Sequence, residues 1–169
     1  MPLLSEIKFM KIFTSLTIPI LATILASCSL LPSQKNVNTQ PITIPENAKV
    51  ATFSGGCFWC LEPSFDGESG VLQTVVGYAG GHTENPSYEQ VLWKTTGHRE
   101  SIQVTYDPTK VSYERLVQIF FHQIDPTDGA GQFADRGEPY TTAIWYTDET
   151  EKKIAEEFIQ KLNDSKKFD

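Results

Sequence analysis

The sequence predicts an α+β fold, a two-layer sandwich of the ferredoxin-like type with element order β-α-β-β-α-β. Two observations carry this expectation. β-Branched and alternating runs take turns with segments whose apolar residues recur at helical spacing. The composition also suits one packed domain: 169 residues, 40% of them apolar and 11% aromatic, fit one globular core plus a short appendage.

The elements follow in chain order. Lys49–Ser54 reads as the first strand and ends in a Gly55-Gly56 turn. Leu61–Asp66 reads as a helix, although Pro63 is tolerated only in a first turn, so a start near Trp59 or Cys60 is the alternative. Val71–Tyr78 is β-branched and reads as a strand closed by Gly80-Gly81, before a polar loop from His82 to Ser87. Tyr88–Trp93 is a short helix. Glu100–Tyr106 alternates, with Ile102, Val104 and Tyr106 on one face. After the Asp107-Pro108 turn, Ser112 caps a helix to His122 with Leu116, Ile119 and Phe120 on one side. Ile124–Pro139 is a long Gly/Asp/Pro-rich loop, of the kind that often carries function. Thr141–Tyr146 is a strand, and Asp148 caps a last helix to Leu162.

The first residues read as an export signal. Lys8 and Lys11 precede an apolar run from Ile12 to Leu25, followed by Leu25-Ala26-Ser27-Cys28. The run is short for a bilayer span and ends in small residues, as signal peptides do. The ending resembles a bacterial lipobox, whose cysteine is lipidated. A plain signal with a stray cysteine is the alternative. The expected layout is a signal at 1–27, a Ser/Asn/Gln/Thr/Pro-rich tether at 28–47, and one domain at 48–169. Lipidated Cys28 would hold the domain at a membrane outside the cytoplasm, in the periplasm or at the cell surface. The net charge of −7 argues against a nucleic-acid partner.

The chemistry centres on Gly55-Gly56-Cys57-Phe58-Trp59-Cys60. A strand-to-helix turn would bring Cys57 to a helix N-terminus, where orphan N–H groups favour a thiolate and lower its pKa. Phe58 and Trp59 would form an apolar wall beside it. Zinc lacks ligands: beyond Cys57 and Cys60 there is only Cys28, with His82, His98 and His122 scattered singly. Redox or nucleophilic thiol chemistry leads, and no metal or cofactor is expected.

From about Val50 onward the chain resembles the type A peptide methionine-S-sulfoxide reductases. The matching pieces are Gly56-Cys57-Phe58-Trp59, Gly77-Tyr78-Ala79-Gly80-Gly81, Asn85-Pro86-Ser87-Tyr88, Thr96-Gly97-His98-Arg99-Glu100, Asp125-Pro126-Thr127, and Gln132-Phe133-Ala134-Asp135-Arg136-Gly137 before Tyr140. The resemblance implies reduction of methionine-(S)-sulfoxide, free or in proteins, with recycling by a thioredoxin-like reductant. It implies Cys57 as the nucleophile, Phe58 and Trp59 as the pocket for the S-methyl group, and Glu100 as the acid. Tyr88 and Tyr140 would hydrogen-bond the sulfoxide oxygen, and Asp135 would recognise the substrate's backbone amide. His98 receives no catalytic role and reads as structural.

Recycling needs a second thiol. With Cys28 lipidated, Cys60 is the remaining candidate to resolve a sulfenic acid on Cys57. The family normally continues past the position of Asp169 with a strand and an aromatic-rich coil, so the domain is expected to be C-terminally incomplete. Two rival readings stand beside the reductase: a thioredoxin-like dithiol oxidoreductase, from Cys-x-x-Cys alone, and an inactive truncated lipoprotein.

Overall fold

The computed structural model describes residues 43–168 and, before them, the backbone of two short strands, β1 (Leu4–Glu6) and β2 (Phe9–Lys11). The other residues before 43, among them Cys28 and most of the stretch expected to be signal and tether, lie outside the described residues. So do the side chains of β1 and β2.

From residue 43 the elements run in the expected sequence. β3 is Lys49–Ser54, β4 Val71–Ala79, β5 Arg99–Tyr106 and β8 Ala143–Tyr146. The longer helices are α4 (Tyr113–His122) and α5 (Glu149–Asp164), capped by the side chains of Ser112 and Asp148. α3 (Tyr88–Leu92) starts with a capping box between Ser87 and Gln90.

Two expectations change. The single helix across Pro63 is two short ones, α1 (Phe58–Leu61) and α2 (Pro63–Asp66). Proline has no N–H to continue α1, so it opens a new helix at its first position. The loop from Ile124 to Pro139 also contains structure: a hairpin of β6 (Gly131–Gln132) and β7 (Asp135–Arg136), then a 3-10 turn at Glu138–Tyr140.

The main sheet has the order β1-β8-β3-β5-β4-β2. β1 runs parallel to β8, and the other pairs are antiparallel. The export reading put residues 4–11 outside the domain, whereas here β1 and β2 occupy the two sheet edges. Only two residues separate them, a chain distance of roughly 10 Å. The edges of β8 and β4 must therefore approach each other, which means that the sheet is rolled. Trp145 shows the same curl. Its indole donates to Ser54 Oγ of β3 at 2.8 Å, lies 5.7 Å from the Arg99 guanidinium of β5, and packs on the backbone of Gly80 just after β4.

The other sheet face carries the core. Phe53, Ile102, Val104, Tyr106 and Ile144 meet Leu116, Val117 and Phe120 of α4 and Ala155 of α5. Phe53 sits at its centre, fully buried, with the rings of Phe120 and Phe65 at 5.1 and 5.4 Å. Phe121 and Phe158, 5.0 Å apart, join α4 to α5. Truncating the central ring removes its contacts on three sides. Phe53→Ala should lower unfolding free energy by about 3–5 kcal/mol, read as a fall in urea midpoint at constant slope. A loss below about 1 kcal/mol would show that the core does not close around Phe53.

Candidate active site

Two glycines make the turn that presents Cys57. A Cβ on Gly55 would lie 2.7 Å from Ile124 Cγ2 and 2.8 Å from Phe120 Cε2, so only glycine lets the turn press onto α4. Gly56 has φ +86°, a left-handed conformation open to glycine. Its N–H donates to the carbonyl of Tyr140 at 3.2 Å, which ties the nucleophile turn to the 3-10 turn. Cys57 then takes the N-cap position of α1, half-buried, and Cys60 is exposed.

Glu100 reaches the site from the sheet. Strand alternation puts it on the face of Ile102, Val104 and Tyr106, at the end of the core. It is 2% exposed, and its Oε2 accepts the Phe58 N–H at 3.0 Å. Burial raises its pKa to about 7; the Phe58 N–H pulls the other way, and the charge of Asp135 adds to the rise. Near neutrality this carboxyl is therefore divided between acid and anion, as a proton donor working at that pH should be.

The thiol departs from the sequence expectation. Burial raises the pKa of Cys57 rather than lowering it. The N–H groups of Trp59 and Cys60 face the sulfur and favour the thiolate, but neither closes a cap hydrogen bond. The charge of Glu100 opposes ionisation as well. A four-residue helix offers a small dipole, and desolvation outweighs it.

Phenols surround the pair. Tyr88 stacks on Trp59 with centroids 6.5 Å apart. Burial and the charge of Glu100 raise the pKa of Tyr88, and they push Tyr140 up to about 12. Both phenols are thus protonated donors across the physiological range. Phe58 and Trp59 part company: Phe58 is buried against Tyr78 and Val91, whereas Trp59 is 63% exposed. Asp135, on β7, acts electrostatically on Glu100, Tyr88 and Tyr140, which places the β6–β7 hairpin beside the site. Cys57, Cys60, Leu61, Phe133 and Asp135 line one cavity of about 430 Å³. His98 is buried and links two loop segments: it accepts from Gly81 N–H at 3.1 Å and bonds the Thr83 carbonyl through Nε2 at 2.9 Å.

Tyr78 was not singled out from the sequence. It is the cross-strand partner of Glu100, 1% exposed, and its hydroxyl has no hydrogen-bond partner among the described residues. The register Tyr78↔Glu100 depends on strand pairing, which sequence alone does not display.

The sequence profile described as Peptide methionine sulfoxide reductase matches residues 49–169. The chain belongs to this family. It is 53% identical over 120 residues to the peptide methionine sulfoxide reductase MsrA of Bacillus licheniformis, covering 71% of this chain and 66% of that one. The Bacillus subtilis protein of the same name is 52% identical, with 71% and 68% covered. Among solved structures, methionine sulfoxide reductase A of Corynebacterium diphtheriae superposes with TM-score 0.64 at 33% identity, over 72% of this chain and 60% of that one. Reduced Mxr1 from Saccharomyces cerevisiae gives 0.62 at 29% identity, over 69% and 71%. The chain thus spans about two thirds of the length of the curated relatives it matches. Their mixed fold, an antiparallel sheet with helices, is the fold found here.

The raised pKa of Glu100 has a consequence for stability. Between pH 4.5 and about 7 the unfolded chain loses this proton while the native state keeps it. The parent protein therefore loses stability through that window as pH rises. Glu100→Gln does not titrate and keeps an oxygen for the Phe58 N–H. Relative to the parent it should gain on the order of 3 kcal/mol between the two ends of the window, measured by urea unfolding at pH 4.5 and pH 8. Parallel pH profiles would contradict a buried, protonated Glu100.

Proposed function

We propose that the chain reduces methionine-(S)-sulfoxide to methionine, in peptides and as the free amino acid. The observation that carries the reading is the buried Glu100 carboxyl, poised near neutrality and bonded to the N–H of the residue next to Cys57. A thiol attacking a sulfoxide needs an acid beside it, because negative charge develops on the departing oxygen.

The reaction balances as follows. The Cys57 sulfur attacks the sulfoxide sulfur while Glu100 gives a proton to the oxygen. The hydroxyl then passes from the substrate sulfur to the Cys57 sulfur, as the substrate's S–O bond and the new S–S bond both break, leaving methionine and a Cys57 sulfenic acid. The substrate gains two electrons and Cys57 loses two. The thiol proton restores Glu100. Tyr88 and Tyr140 donate to the same oxygen, and Phe58 and Trp59 receive the methyl group. Asp135 accepts from the substrate's backbone amide. Burial holds Cys57 as a thiol in the free protein, so the thiol gives up its proton as it attacks, to the Glu100 carboxylate that has just protonated the oxygen.

Recycling then uses Cys60. Its thiol attacks the sulfenic sulfur, water leaves, and a Cys57–Cys60 disulfide forms. A thioredoxin-like dithiol reduces that disulfide. Exposure of Cys60 and the i,i+3 spacing on α1 support the role. We also read the four core strands as a ferredoxin-like sheet, supported by their order β8-β3-β5-β4 and antiparallel pairing.

The deciding measurement is turnover of the two epimers of a methionine sulfoxide peptide with dithiothreitol or thioredoxin. Cys57→Ser should abolish it, and the S epimer should be strongly preferred. Glu100→Gln should lose about 10²- to 10⁴-fold in rate. Cys60→Ser should complete one turnover, leave trappable sulfenic acid, and lose thioredoxin-supported cycling. Turnover by Cys57→Ser, or equal rates on both epimers, would end this reading.

We place the protein at a membrane surface outside the cytoplasm, tethered through lipidated Cys28. Lys8 and Lys11, the apolar run to Leu25, and Leu25-Ala26-Ser27-Cys28 support this. Cleavage before Cys28 would confine β1 and β2 to the precursor. Cys28→Ala should abolish acylation and membrane retention in a bacterial host. Retention with normal cleavage would refute the anchor.

A further inference from the structure

Phe133 combines three properties that rarely coincide. It occupies the first position of the two-residue turn between β6 and β7, where Gln132 pairs with Asp135. Its φ is +50°, a conformation that tight hairpins usually give to glycine or asparagine. It is also 72% exposed, so no burial of its ring offsets the strain. For folding alone, glycine or asparagine would serve better at this position.

The strain persists because the hairpin is held from several sides. The Gln132 side chain accepts from the Asp125 N–H at 2.7 Å and donates to its carbonyl at 2.9 Å. Arg136 pairs with Asp128 through both terminal nitrogens, and Gly137 N–H donates to the Ala130 carbonyl at 2.8 Å. A rigid, strained turn thus presents an exposed aromatic ring in the wall of the cavity that contains Cys57 and Asp135.

That cavity, about 430 Å³, lies in the range that encloses a drug-sized ligand. One methionine sulfoxide side chain does not fill it. Asp135, two residues from Phe133 and lining the same space, is the acceptor assigned above to the substrate's backbone amide. A peptide held there with its sulfoxide at Cys57 carries its neighbouring side chain past Phe133.

We propose that Phe133 is a specificity-determining residue that forms an apolar subsite for the side chain flanking methionine sulfoxide in a peptide. The preferred substrates are then sulfoxides next to large aliphatic or aromatic residues, as in exposed core segments of damaged proteins. The inference rests on the reductase reading of the Cys57 site and adds which peptides that site selects.

The test compares two capped peptides, methionine sulfoxide between leucines and methionine sulfoxide between glycines, with dithiothreitol as reductant. The parent should show a KM about five- to tenfold lower for the leucine peptide, the effect of burying a modest apolar contact. Phe133→Gly and Phe133→Asn should bring the two KM values together. Their thermal midpoints should hold or rise, because the left-handed strain is relieved. The same peptides are titrated onto Cys57→Ser protein, where the leucine preference should appear in Kd. No turnover by the parent, with this Kd preference intact, would reject the reductase reading and keep the subsite. Equal KM and Kd for the two peptides in the parent would overturn the subsite. So would an equal loss on free methionine sulfoxide, which would make Phe133 a general shaper of the Cys57 site. A KM change confined to thioredoxin would overturn it too, and assign the ring to the reductant.

Discussion

The site depends on one hydrogen bond, from the Phe58 N–H to Glu100 Oε2 at 3.0 Å. It links the turn that carries the nucleophile to the central strand that carries the acid. Without that donor, burial and the charge of Asp135 would push the pKa of this carboxyl, 2% exposed, further up. With it, burial and the hydrogen bond oppose each other, and the pKa rests at about 7. The same bond fixes the spacing of Cys57 and Glu100, because a backbone N–H cannot move without the turn.

Rigidity around that bond has two sources. On one sheet face, the rings of Phe53, Phe65 and Phe120 press against the Gly55-Gly56 turn through α4. On the other, Ser54, Ser101 and Trp145 form a buried hydrogen-bonded set, with Ser54 Oγ 2.7 Å from Ser101 Oγ. Ser101 follows Glu100 directly, and Ser54 precedes the turn. Glu100 is thus anchored by its strand neighbour on the opposite face, and the turn to Cys57 by the strand residue just before it. The β6–β7 hairpin closes the third side, held by Gln132 and Arg136 and carrying Asp135 and Phe133.

Much of this was legible in the sequence. The strands, the caps at Ser112 and Asp148, and the Gly-Gly turn before Cys57 follow from local rules about alternation, side-chain capping and glycine. The motif residues Cys57, Glu100, Tyr88, Tyr140 and Asp135 do gather around one cavity or act on one another electrostatically. The burial of Glu100 could have been read by carrying the alternation of Ile102, Val104 and Tyr106 one step back. Other features left no local trace. The break at Pro63 was visible as a conflict, but not its resolution into two helices. The hairpin in residues 131–136 is held by contacts with Asp125 and Asp128 that no periodicity records.

What the sequence determined by itself is the chemistry available: one thiol at a strand-to-helix turn, a second at i+3, an acid and several phenols, in a family order. Those depend on residue identity and short-range backbone preference. Only the tertiary structure decided how these groups ionise and which surfaces they meet. Burial raised the thiol pKa where the helix position alone would lower it, strand register put Tyr78 opposite Glu100, and a pinned hairpin held Phe133 in strain at the cavity wall. Desolvation, register and strain each depend on residues distant in the chain, so they come into being only when the chain is folded.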